Sequence, residues 1–245
     1  GTAITTGGDN VAVGTSAFLS NTTGHSNVAV GTTALDANTT GNYNIALGVN
    51  ALGSNTTAAD NIAIGTAALG ANTTGTNNVA VGQNALDAVT TANNNIAIGL
   101  DTLSGAAGNQ NVAIGTDGQK VSTGGNNTSV GYLALSTNTT GGANIAIGFE
   151  SMRLNTTGSD NVSVGAECME DNTTGASNTA MGYRAMRGST TGHSNVAVGY
   201  AAMNVSTTAD RSTVVGYNAG DAITTGGDNC IFGYEAGGAV TTGIE

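Results

Sequence analysis

At 245 residues with 9% charged side chains and a formal net charge of −11, the chain is a poor partner for nucleic acid or anionic membrane; Lys120, Arg153, Arg184, Arg187 and Arg211 are its only bases. Its apolar runs last a few residues, far short of the roughly 20 that cross a bilayer as a helix, and no basic-then-apolar leader opens it, so membrane insertion is not expected. Cys168 and Cys230 lie four repeats apart, roughly 19 Å at about 4.8 Å per repeat, which excludes a bridge between them within one chain.

Glycines punctuate the chain at a nearly fixed step, from Gly14, Gly31, Gly48, Gly65, Gly82, Gly99 and Gly115 through Gly131, Gly148, Gly165, Gly182, Gly199, Gly216 and Gly233. Eleven of the thirteen intervals are 17 residues and two are 16. Self-similarity at this period predicts one continuous domain over residues 1–245, a stack of small identical units. The unit is too short for a helical hairpin and rich in Gly, Thr, Asn and Val, so each is read as a coil of β-structure.

Each glycine closes a three-residue strand such as Val11-Ala12-Val13. Alternation puts the two large residues on one face and the central Ala or Ser on the other. The large side chains are expected inside the coil. The small ones, Ala12, Ala29, Ala46, Ala63, Ala80, Ala97, Ala113, Ala146, Ala180 and Ala197, are expected outside, as the packing surface between chains. After the glycine, pairs such as Ala34-Leu35 and Ala51-Leu52 predict a second short strand, and Asn-Thr-Thr-Gly predicts a turn.

An Asn four residues before the strand-closing glycine recurs in every coil but one, where Ser212 stands. It is expected to form an amide ladder along the axis. In the two short coils the strand pattern is intact, so the missing residue must fall in the turn, at Ala106-Ala107-Gly108 and Ser122-Thr123-Gly124, because a deletion within a strand would flip its faces.

The Asn-Val-Ala-Val-Gly run, repeated with Asn and Gly in place, resembles the head repeats of YadA-like trimeric autotransporter adhesins. The longer period, and variants such as Thr213-Val214-Val215-Gly216-Tyr217-Asn218-Ala219-Gly220, look more like tailed-phage fibre proteins and related bacterial surface proteins. The resemblance spans the chain. It implies an all-β, parallel β-solenoid or β-roll of about 14 coils with 17-residue repeats, left-handed, three chains around a common axis, on a virion tail fibre or a cell surface. Its implied partners are other copies of itself and a host-surface glycan or protein.

The decoration changes along the chain. The position after the usual Ala runs Phe18, Leu35, Leu52, Leu69, Leu86 and Leu103, then Met152, Met169, Met186 and Met203, and finally Gly220 and Gly237. The residue after the strand-closing glycine becomes aromatic at Tyr132, Phe149, Tyr183, Tyr200, Tyr217 and Tyr234. This column reads either as an exposed stripe suited to sugars and partner surfaces or as rings stacked for structure. Residues 1–10 match residues 220–229 at nine positions, which fits a segment of a longer fibre or subunits stacking head to tail as a filament.

No catalytic, cofactor or metal residues are expected. His25 and His193 sit in equivalent turns ten coils apart, and Gly-Gly-Asp-Asn at residues 7–10 and 226–229 lacks the regular spacing of calcium-binding nonapeptides. The hexad of acyltransferase solenoids is missing too. Asn-Thr-Thr at Asn21, Asn38, Asn55, Asn72, Asn138, Asn155 and Asn172 matches a glycosylation acceptor but is explained by the turn. An ice-binding solenoid is the rival reading of the threonines, weakened because neighbouring extended residues point opposite ways. The expectation is a non-enzymatic fibre or adhesin shaft, roughly 65 to 70 Å long at about 4.8 Å per coil.

Overall fold

A computed structural model describes residues 6–242; Gly1 to Thr5, half of the terminal match noted above, lie outside the described residues. The chain divides into two compact units, Gly1–Val121 and Ser122–Glu245. Each is a parallel β-solenoid, and no helix occurs among the described residues. The first unit contains β1 (Val11–Val13), β2 (Val28–Val30), β3 (Ile45–Leu47), β4 (Ile62–Ile64), β5 (Val79–Val81), β6 (Ile96–Ile98) and β7 (Val112–Ile114). The second contains β8 (Thr128–Val130), β9 (Ile145–Ile147), β10 (Val162–Val164), β11 (Thr179–Met181), β12 (Val196–Val198), β13 (Thr213–Val215) and β14 (Cys230–Phe232).

Within each unit successive strands pair in register, Val28 on Ile45 and Ala29 on Ala46, so every column down the sheet is one repeat position. The register survives the short coil: Ile96 pairs with Val112. The lost residue falls between Leu103 and Gln110, whose left-handed backbones (φ 49° and 62°) are one residue closer than Leu35 and Tyr43 are. The turn absorbs the deletion, as the intact strand pattern required.

The faces of the strand are the reverse of the sequence expectation. Ala29, Ala46, Ala63, Ala80, Ala97, Ala113, Ala146, Ala180 and Ala197 are fully buried inside the coil, and Ala12 is exposed in β1. None of the nine can form a contact between chains. The large neighbours face outward: Leu47 and Ile64 are 44% and 36% exposed. The cause is interior volume. A coil of this size also points Ala34 and Leu35, or their equivalents, at its centre, and both are completely buried. One large side chain per coil fills the interior, so the strand can add only a methyl group there.

The predicted second strand is instead a run of turns. Thr33 and Leu35 both take the left-handed conformation, at φ 55° and 50°, which no strand allows. The Ala34 N–H donates back to Gly31 O (3.3 Å), while the Leu35 N–H reaches Ala51 O in the next coil (3.1 Å). With Tyr43 at φ 57°, a typical coil holds three non-glycine residues in this region, each costing roughly 1–2 kcal/mol. Stacked neighbours must repay that strain, so an isolated coil has little reason to hold its shape.

Candidate interaction surface

Polar columns bolt the coils together. In the outer asparagine ladder, Asn44 Nδ2 donates to Asn27 Oδ1 (3.2 Å) and to Ala58 O (2.9 Å), linking the coil before and the coil after. The step repeats from Asn61 to Asn44 and from Asn161 to Asn144, as the sequence spacing predicts. Ser212 takes the place of Asn and accepts from Asn229 Nδ2 (3.2 Å).

A second ladder runs through the Asn-Thr-Thr turns and was not anticipated. Asn38 Nδ2 donates to Asn21 Oδ1 (2.9 Å) and to Gly41 O (3.1 Å), and Asn55 repeats the bond to Asn38. These asparagines are fully buried, which removes them as glycan acceptors. The first Thr of most pairs donates its hydroxyl to the next coil, as Thr39 does to Thr56 O (3.0 Å). The second, at Thr23, Thr40, Thr57, Thr74 and Thr91, forms one exposed file in the first unit, and of the first threonines there Thr90 is exposed beside it. One free file is not the flat double array that matches an ice surface.

The inner ladder stops where its residue type changes. Asn172 Oδ1, Ser189 Oγ and Ser206 Oγ have no hydrogen-bond partner among the described residues, although all three residues are fully buried. Each such buried group costs roughly 1–3 kcal/mol. Ser189→Asn would return a donor to Asn172 and offer an acceptor to Ser206. We expect it to stabilise the second unit by about 1 kcal/mol, read as a raised denaturation midpoint; an unchanged or lowered midpoint would refute the assignment.

The charged side chains pair with one another. Glu170, almost fully buried, accepts from Arg153 (2.7 Å) and Arg187 (2.8 Å). Burial pushes its carboxyl up, yet the two guanidiniums outweigh that and hold it below the usual range. Arg184 pairs with Glu167, Arg211 with Asp228 and Lys120 with Asp117, so every base has an acid beside it. Cys168 is buried, its thiol pushed up to about 11 by desolvation, and Cys230 is exposed; neither forms a disulfide. His25 packs edge-on against Tyr43, and His193 Nδ1 accepts from the Ala176 N–H (3.0 Å). No group of three His, Cys, Asp or Glu able to hold a metal occurs among the described residues.

The outward surface also carries apolar columns. The first unit presents two aliphatic columns, one through Ile45 and Ile96, the other through Leu47, Ile64, Ile98 and Ile114, all between 36% and 44% exposed. Seven coils at about 4.8 Å and a width of about 10 Å make a strip of roughly 300 Å², comparable with the largest apolar patch of a typical monomer, which is often functional.

In the second unit the next outward column is aromatic, and its rings are both stacked and exposed. Tyr132 stacks on Phe149 at 5.7 Å, and Tyr183, Tyr200, Tyr217 and Tyr234 follow one another at 5.2, 5.0 and 5.2 Å. The rings support one another. Tyr200 and Tyr217 are nonetheless 47% and 44% exposed. Ala166 separates the two runs. No protein-family model matches the chain, and no curated protein is significantly similar to it in sequence. Its repeat geometry is therefore the ground for a functional reading.

Proposed function

We propose that the chain is a non-enzymatic shaft of a phage tail fibre or bacterial surface adhesin, whose copies pack three around a common axis through the outward strand columns. The observation that carries this reading is the inverted strand. The interior is closed by Ala, Leu and Met, while Val, Ile and Leu stand in solvent in ordered files. Fully burying such a side chain is worth about 1.5–3 kcal/mol, so even half of that, repeated coil upon coil, favours covering the files. The threefold arrangement and the appendage come from the resemblance of the Asn-Val-Ala-Val-Gly repeats, and the task is mechanical, spacing a tip from its base.

The test is mass in solution under native conditions. Wild type should run as a trimer. Ile45→Lys with Leu47→Lys, which places like charges on the file while leaving the interior untouched, should give a monomer with unchanged far-ultraviolet circular dichroism. A monomeric wild type would overturn the proposal, as would a doubly substituted chain that still forms trimers.

A further inference from the structure

We infer that the column Tyr183, Tyr200, Tyr217 and Tyr234 is a binding strip for an elongated, planar, cationic aromatic molecule lying parallel to the coil axis. Stacked rings at a constant step turn four separate side chains into one continuous aromatic surface, with centroids 5.0 to 5.2 Å apart. Three steps of about 4.8 Å between its four coils give it a length of about 15 Å, that of a few linked aromatic rings. Ring faces turned toward one another leave edges, hydroxyls and offset margins outward. Such a surface is contacted better by a flat molecule spanning several coils than by one sitting on a single ring.

Charge selects the ligand. The chain carries a formal −11, and its five bases are already paired with acids. The column already receives one planar cation: the Arg184 guanidinium lies over the Tyr183 ring, 4.9 Å from its centroid. A delocalised aromatic cation would be drawn by the net negative charge of the chain and would lay its flat face along the outward margins and hydroxyls of the stacked rings. Equivalent positions in the first unit are Thr32, Val49, Thr66, Gln83 and Leu100, which offer no rings, so the site is confined to the second.

Thioflavin T, a flat benzothiazolium cation, is the probe. Its fluorescence should rise saturably with the wild-type protein. Tyr200→Ser with Tyr217→Ser should weaken binding by roughly tenfold or more, since two stacked rings are lost. Tyr200→Leu with Tyr217→Leu, which keeps the bulk, should weaken it as well, and covers the case in which the serine variant does not fold. Thr40→Ser with Thr57→Ser, on the exposed threonine file of the other unit, should bind as wild type does. Absence of a saturable rise, or equal affinity in a folded chain lacking both rings, would overturn the inference.

Discussion

Gly65→Ala should unfold the coils around it, lowering the stability of the first unit by about 4 kcal/mol, from strain of roughly 1–3 kcal/mol and overpacking of similar size. Gly65 has φ +133°, a conformation that side chains rarely adopt. A Cβ there would stand 2.5 Å from Gly82 O and 2.6 Å from Gly82 C, backbone atoms of the next coil. The neighbour cannot retreat, because β4 and β5 are held in register by the pairing of Ile62 with Val79 and Ile64 with Val81. Such a loss is a large share of the 5–15 kcal/mol that holds a typical domain. Urea denaturation followed by circular dichroism would measure it. A change under 1 kcal/mol would mean that the coils are not as close as described.

The second large effect lies inside the coil. Through twelve coils the strand contributes Ala or Ser to the interior and the turn contributes a larger side chain; in the thirteenth the roles exchange. Val214 fills the strand side and Gly220, at φ 59°, takes the turn position. A Cβ on Gly220 would come within 2.9 Å of Ile223 Cδ1 and 3.1 Å of Val214 Cγ1. Gly237 and Ile231 repeat the exchange.

Ala180→Val alone should therefore cost about 1–3 kcal/mol by overpacking, and Met186→Gly alone about 2–5 kcal/mol by emptying the coil. Made together, they should cost clearly less than the sum, with coupling of at least about 1 kcal/mol in a double-mutant cycle. Additive losses would refute the idea that the two positions share one volume.

The strands and their register were legible because alternation and a constant step leave few other arrangements. The outer asparagine ladder was legible for the same reason: a polar residue in the same place in coil after coil has the same residue above and below it. Which face points inward was not. Alternation says that Val11 and Val13 share a side, but only the Leu35 column reveals that the interior is already full. Leu35 itself hid its role, since a buried Leu after Ala suggests a strand, whereas the backbone there is left-handed. Asp60, Asn77, Asn94 and Asp160, beside the outer ladder, were the available sign of positive φ, which Asn and Asp tolerate better than most residues. The inner ladder was masked because Asn-Thr-Thr-Gly is sufficient as a turn.

In both ladders each side-chain amide donates to the Asn of the lower-numbered coil, and its oxygen accepts from the Asn of the higher. Their dipoles add head to tail, and each bond polarises the next. A unit of this fold thus has a donor pole and an acceptor pole, as a helix has, though it contains no helical turn among the described residues. Adding a coil at one pole and at the other are chemically different events.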